Sequence, residues 1–306
     1  MSSEKKIALV YEYKRDVPLK SINVGDYIQT LAALQFYERV DGYVDRDNLG
    51  EATNFGQAKG IINGWYSIEN TCHIIPSLFT PLLVSIHINN QSDGQAILPV
   101  LMSWKKFAPI GCRDLSTLSF LKSFGIDSYF SSCLTTTLKR ENFSNTSQRS
   151  GVVCTDVPYI SDGIFPLSHL LKRRMVRKLV GRAIKDTCSN SDLIVFETHA
   201  YSPLTTHKQR FEEARRLLQI YANAELVITG RIHCALPCLA LGTPVILITK
   251  SRDSRRYPGL EDLLNVVYLS ESYHKVETKN GRIVNSDKFK QYAERLSTVC
   301  NNFMKS

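Results

Sequence analysis

No C-x-x-C pair occurs among the eight cysteines of this 306-residue chain, and Cys234 and Cys238 sit inside apolar runs. That pattern excludes a disulfide framework and a zinc ribbon, and reads as reduced, buried thiol in a cytoplasmic protein. No apolar run reaches membrane length, because the longest, Cys234 to Ile248, is broken by Pro237, Gly242 and Pro244. No secretory leader opens the sequence; Met1-Ser2-Ser3-Glu4-Lys5-Lys6 leads straight into the short run Ile7 to Val10. Internal repeats and low-complexity tracts are missing as well, which removes solenoids.

Acidic residues are missing from Gly163 to Lys185, where Lys172, Arg173, Arg174, Arg177, Lys178, Arg182 and Lys185 all fall. The chain carries 38 Lys+Arg against 29 Asp+Glu, a formal charge of +9. Taking those seven from 38 leaves 31 against 29, so the rest is nearly neutral and the chain has no general nucleic-acid coat. Leu170, Leu171, Met175, Val176, Leu179, Val180 and Ile184 recur at helical spacing through the same segment. Their face is expected to pack on a sheet, leaving the basic face of residues 170–185 for peripheral contact with lipid phosphates.

What is present is 43% hydrophobic residue with 9% aromatics, enough for a large core, and a length that favours two domains over one. Short apolar runs alternate with helical patterns, the mark of parallel α/β layers. Strands are predicted at Ile7–Tyr13, Gly60–Asn63, Leu83–Ile88 and Ala108–Gly111, with helices at Tyr27–Arg39 and Leu115–Phe124. The polar stretch Lys139–Ser150 reads as a linker, dividing residues 1–145 from 146–306 with a ligand cleft between. Beyond it come strands at Gly151–Thr155, Leu193–Glu197, Leu226–Thr229 and Pro244–Thr249. Helices are predicted at Leu167–Lys185, Lys208–Asn223, Ile232–Leu241 and Asp287–Asn301.

Three junctions carry chemistry. Thr229-Gly230-Arg231-Ile232-His233 lies where a strand hands over to a helix, the place at which open α/β sheets bind ligands. Arg231 offers a fork for carboxylate or phosphate and His233 a proton near neutral pH, unless they serve only as an ion pair and a cap. Arg113 sits at a similar handover with Asp114 at the cap, and a structural Arg–Asp pair is the competing role. Asn23-Val24-Gly25-Asp26 precedes the first amphipathic helix, where Asp26 either caps the helix or faces a ligand. Arg256 follows the last core strand, within reach of a phosphate or out in solvent. His87 and His199 follow or end strands, as core histidines or acceptor contacts.

Asn23-Val24-Gly25-Asp26, Gly111-Cys112-Arg113-Asp114, Ala224 through Val245 and Arg256-Tyr257-Pro258-Gly259-Leu260 together resemble the polysaccharide pyruvyl transferase family. One departure is Gly230, where related sequences more often place a serine. The resemblance implies two Rossmann-like domains in a GT-B-like arrangement, residues 1–145 on the acceptor side and 146–306 on the donor side. It implies transfer of pyruvate from phosphoenolpyruvate to a sugar of a polysaccharide or lipid-linked saccharide, forming a cyclic ketal and releasing phosphate, with no metal and no cofactor beyond that donor. Arg113, Arg231 and Arg256 would bind the donor, His233 would act as general acid, and Asp26 would accept or orient a sugar hydroxyl. A GT-B glycosyltransferase using a nucleotide-sugar donor is the alternative. A cytoplasmic enzyme, peripheral at the inner face of the plasma membrane, fits the basic segment.

Overall fold

The computed structural model describes residues 4–12, 22–67, 73–89, 97–160, 169–188, 193–201, 206–252, 255–271 and 273–306. In chain order the first half gives β1 (Lys5–Val10), β2 (Ile22–Asn23), α1 (Val24–Leu34), β3 (Gly42–Asp45), β4 (Ala58–Ser67) and β5 (Phe79–Asn89). It ends with α2 (Leu98–Lys105), β6 (Ile110–Cys112), α3 (Leu115–Ser123) and β7 (Ser128–Phe130). The sheet order is β3-β1-β4-β5-β6-β7, with every pair parallel.

The second half gives β8 (Val152–Thr155), α4 (Leu170–Thr187), β9 (Ile194–Glu197), β10 (Ala200–Tyr201), α5 (His207–Asn223), β11 (Leu226–Thr229) and α6 (Ile232–Ala240). Then follow β12 (Val245–Thr249), β13 (Asn265–Tyr268), β14 (Tyr273–Lys275) and α7 (Lys290–Lys305). Its sheet runs β14-β13-β12-β11-β8-β9, parallel except for the antiparallel β13–β14 edge. Two parallel α/β sheets are the architecture expected from the alternation. Their central strands read as continuous apolar runs because helices cover both faces, as along β11, β12 and β13, buried throughout.

Element boundaries differ from expectation in instructive places. β4 and β5 extend well beyond Gly60–Asn63 and Leu83–Ile88, because their mutual pairing continues past the apolar stretch to Ser67 and Asn89. α1 starts at Val24 rather than Tyr27, because Asn23 caps it by accepting from the Gly25 N–H at 3.2 Å. Asp26 therefore lies inside the first turn and is not the cap. α4 packs through Val176, Val180, Ala183 and Ile184, but Leu170 and Leu171 are 50% and 80% exposed. Their expected burial is thus wrong: Leu170 stands one turn before Arg174 and Leu171 two turns before Lys178, which puts both on the exposed side of α4.

The stretch read as a linker is anchored. Phe143 is buried, and the Arg149 guanidinium donates to the Ala222 and Leu241 carbonyls, each at 2.7 Å. One apolar cluster crosses from half to half, joining Tyr27, Ile28 and Leu31 of α1 to Leu217 and Leu218 of α5 and to Leu236 of α6. α7 returns to the first sheet, where the Lys59 ammonium donates to the Phe303 carbonyl at 3.0 Å. Tyr292 meets Phe130 edge-on at 4.9 Å.

A shared core predicts shared unfolding. Trp65 and Trp104 both belong to the first half, whereas circular dichroism reports helices of both. Urea curves by the two probes should coincide. Leu217→Ala, in the second half, should shift both curves by about 2–5 kcal/mol; a shift confined to circular dichroism would contradict the shared core.

Candidate active site

β11 ends at Thr229, and the chain turns through Gly230 so that Arg231 occupies the N-cap position of α6. The Arg231 N–H donates to Thr229 Oγ1 at 2.9 Å. A Cβ on residue 230 would lie 2.4 Å from the Asp156 carbonyl oxygen, closer than any real contact. The missing serine hydroxyl is therefore imposed by backbone approach. Asp156 follows β8 with a left-handed φ of 46°, an uncommon conformation outside glycine that recurs at functional sites. Its Oδ2 accepts from Arg231 Nε at 2.7 Å and from the His199 N–H at 2.9 Å. Burial pushes the Asp156 carboxyl up, but the His199 N–H, the Thr198 hydroxyl and Arg231 outweigh it and hold it below the usual range.

His233 lies on the first turn of α6, 7% exposed. Arg113 reaches it from the other half: Nη1 stands 3.4 Å from His233 Nε2. Arg113 follows β6, fixed by its N–H donating to the Ile86 carbonyl at 2.8 Å, and it is wholly buried. Its Nε lies 3.7 Å from Asp114 Oδ2. Neither Nε nor Nη2 has a hydrogen-bond partner among the described residues. Burial lowers the proton affinity of this guanidinium, and Asp114 offsets part of the effect.

Asp114 both caps α3, accepting from the Thr117 N–H at 2.9 Å, and accepts from His87 Nδ1 at 2.6 Å. A carboxylate at that distance assigns the imidazole proton to Nδ1 and leaves Nε2 as a lone pair. That Nε2 is buried without a hydrogen-bond partner among the described residues. Burial first, then the Arg113 charge, push His87 down to about 4, against the pull of Asp114. His233 is held well below its ordinary 6.5 by burial, then by Arg113, Arg256, His199 and His87. The cations and histidines picked out in the sequence thus share one field.

Arg256 enters that field on a segment tied to the first half, where the Leu115 N–H donates to the Pro258 carbonyl at 2.9 Å. Its Nε is buried and unpartnered among the described residues. From the other side, α1 closes in. A Cβ at Gly25 would lie 3.0 Å from His199 Nδ1 and 3.2 Å from His233 Cβ, so any larger residue would have to push both histidines back by a few tenths of an ångström. β2 and β10 pair antiparallel, Asn23 opposite Ala200, and the Val24 N–H donates to the His199 carbonyl at 2.9 Å. His199 Nε2 lies 3.0 Å from the Tyr221 hydroxyl. Asp26 is 8% exposed; its Oδ1 accepts from Gln29 Nε2 at 3.3 Å, and its charge acts on Tyr11 and Arg46.

Beside this buried group opens a cleft of about 1650 Å³, lined by residues 154–256 of the second half, among them Asp156, Arg177, Arg231, Lys250 and Arg256. Arg256 belongs to both places. Arg113, Arg256, His87, His199 and His233 come together, whereas Arg231 is ion-paired to Asp156 at the cleft wall, 42% exposed. Asp156 and Tyr221 escaped the sequence reading. The signal for Asp156 was its place directly after an apolar strand.

A family model for polysaccharide pyruvyl transferase matches residues 23–252. The chain belongs to the polysaccharide pyruvyl transferase family. The match opens at the α1 cap and covers Arg113, Asp156, Arg231 and His233 but stops short of Arg256. Among solved structures, the chain is similar to the E. coli ADP-heptose lps heptosyltransferase II, at 10% identity and a TM-score of 0.34 over 99% of this chain and 100% of that one. No curated protein matches it in sequence.

In this pyruvyl transferase family member the electrostatics give a sign that can be checked. Nearby cations disfavour imidazolium, so Arg113→Gln should raise the pKa of His233. Histidine-labelled protein followed by NMR should show the His233 midpoint moving upward toward 6.5, and that of His87 moving up with it, because Arg113 acts on both. An unchanged or lowered midpoint would contradict the contact.

Proposed function

We propose that this polysaccharide pyruvyl transferase takes pyruvate from phosphoenolpyruvate and closes a ketal across two hydroxyls of a sugar, releasing phosphate. The observation that carries the reading is the buried Arg113 guanidinium, with two nitrogens lacking a hydrogen-bond partner among the described residues, facing a histidine that belongs to the other half. Buried donors left without a hydrogen bond are expensive, and an anionic ligand removes the cost. Phosphoenolpyruvate carries two anionic groups. Arg113 and Arg256 supply cations for them, with Arg231 at the cleft wall, its Nε committed to Asp156.

His233 delivers a proton to the methylene carbon, converting CH2 to CH3 and leaving the adjacent carbon electrophilic. One sugar hydroxyl attacks that carbon, and the C–O bond to phosphate breaks. The second hydroxyl then closes the ring. Of the two hydroxyl protons, one replaces the proton His233 gave up and the other leaves on hydrogen phosphate, so atoms and charge balance. Asp26 is assigned to orient the acceptor. Its hydrogen bonds to Asn23 and Gln29 at 3.4 and 3.3 Å favour a fixed carboxylate over a mobile base. His87 and His199, both buried, act from behind through Asp114 and Tyr221. Residues 1–145 form the acceptor side and 146–306 the donor side.

The nucleotide-sugar reading is favoured by one observation, the cleft of about 1650 Å³, which exceeds what a small donor fills. Ligand stabilisation separates the two. Phosphoenolpyruvate should raise the unfolding midpoint and nucleotide sugars should not. With galactose-, mannose- and glucose-containing acceptors, phosphate release should fall about 10²–10⁴-fold in His233→Gln. Undiminished release in that variant, or stabilisation by nucleotide sugars alone, would overturn the reading.

A further inference from the structure

The first turn of α4 is where sequence pattern and structure part most sharply. Leu170 stands one turn before Arg174 and Leu171 two turns before Lys178, so both fall on the exposed basic side of the helix, at 50% and 80% exposure. Lys172, Arg174, Arg177, Lys178, Arg182 and Lys185 are exposed along the same helix, where Asp186 is the acidic residue. None of these six has an ion-pair partner among the described residues. At the adjoining sheet edge, Ile194 and Phe196 of β9 are 39% and 65% exposed. They line the same cleft as Arg177 and Gly181 of α4.

We propose that α4 seats this protein on an anionic bilayer surface. Leu170 and Leu171 enter the headgroup boundary while Arg174, Lys178, Arg182 and Lys185, spaced along one exposed stripe, pair with lipid phosphates. The choice of occupant follows from two features side by side. A soluble polyanion such as nucleic acid would use the cations but leave two leucines and a phenylalanine in water. A bilayer boundary takes both, apolar side chains below and phosphates at their level. The near-neutral remainder of the chain confines the attraction to this one surface. Because Arg177 and Gly181 also wall the cleft, the seated protein holds its cleft beside the lipid surface.

The test uses the full chain, sedimented with phosphatidylcholine vesicles that contain or lack phosphatidylglycerol. Sedimentation should require phosphatidylglycerol and fade as salt is raised. Lys178→Glu and Arg182→Glu should each lower partitioning by about tenfold or more, since each lysine or arginine contributes about 1 kcal/mol near the surface. Leu171→Ser should lower it as well. These side chains face solvent, so thermal midpoints and donor turnover should stay at the wild-type level. Failure to sediment, or equal sedimentation with pure phosphatidylcholine, would overturn the proposal. So would charge reversals that act while Leu171→Ser does nothing, which would reassign the surface to a soluble polyanion.

Discussion

Arg113 is carried entirely out of water, and much of the surrounding geometry follows from what a buried guanidinium demands. Removing such a charge from solvent costs several kcal/mol unless anions and acceptors surround it. Asp114 stands at ion-pair distance, 3.7 Å from Nε, while its hydrogen bonds go to His87 and to the α3 N-terminus, so the guanidinium gains its charge and not a hydrogen bond. His233 takes the Nη1 side at a loose 3.4 Å. What is left over among the described residues, two nitrogens without a hydrogen-bond partner in the field of Arg256, is a demand for negative charge. Burial, and then the same surplus of cations, hold His233 well below its ordinary value. On the proposed reading, donor binding and the arming of the general acid are one event.

Holding that arrangement requires the two halves to be registered to within an ångström or so, and several contacts act together. Asp156 binds Arg231 and the backbone of His199. The His199 carbonyl then receives the first N–H of α1. Gly230 lets its turn lie against the Asp156 carbonyl, and Gly25 lets the start of α1 lie against the side chains of His199 and His233. The Pro258 carbonyl pins the Arg256 segment to the start of α3. Beneath these polar ties the apolar cluster of α1, α5, α6 and α7 runs unbroken between the halves. The site is therefore as rigid as the core beneath it.

Much of this was legible in the sequence. Apolar runs such as Leu226–Thr229 and the Gly230-Arg231-Ile232-His233 turn announce a strand, a handover and a helix, because the hydrophobic pattern changes period there. Asp114 announces a helix start, whereas the start of α1 was read at Tyr27 and its cap, Asn23, was missed. Pairing partners were not legible: nothing local tells that Asp114 would bind His87 across 27 residues, or that Arg113 would meet His233 across 120. Arg231 and Arg113 look alike as arginines at strand ends, yet one is ion-paired at a cleft wall and the other buried beside the histidine. Asp156 went unnoticed because its importance lies in its left-handed backbone and the two groups it gathers. The first turn of α4 misled because Leu170 and Leu171 are apolar but fall, at about 100° per residue, with Arg174 and Lys178 and not with Val176 and Val180.

The central claim is that an anionic donor completes Arg113 and thereby lets His233 take up a proton. Titration calorimetry of phosphoenolpyruvate in buffers of different ionisation enthalpy measures the protons that accompany binding. At neutral pH the expected result is a net uptake of protons in the wild type, strongly reduced in His233→Gln. Binding without proton uptake, or uptake that survives the loss of His233, would contradict it.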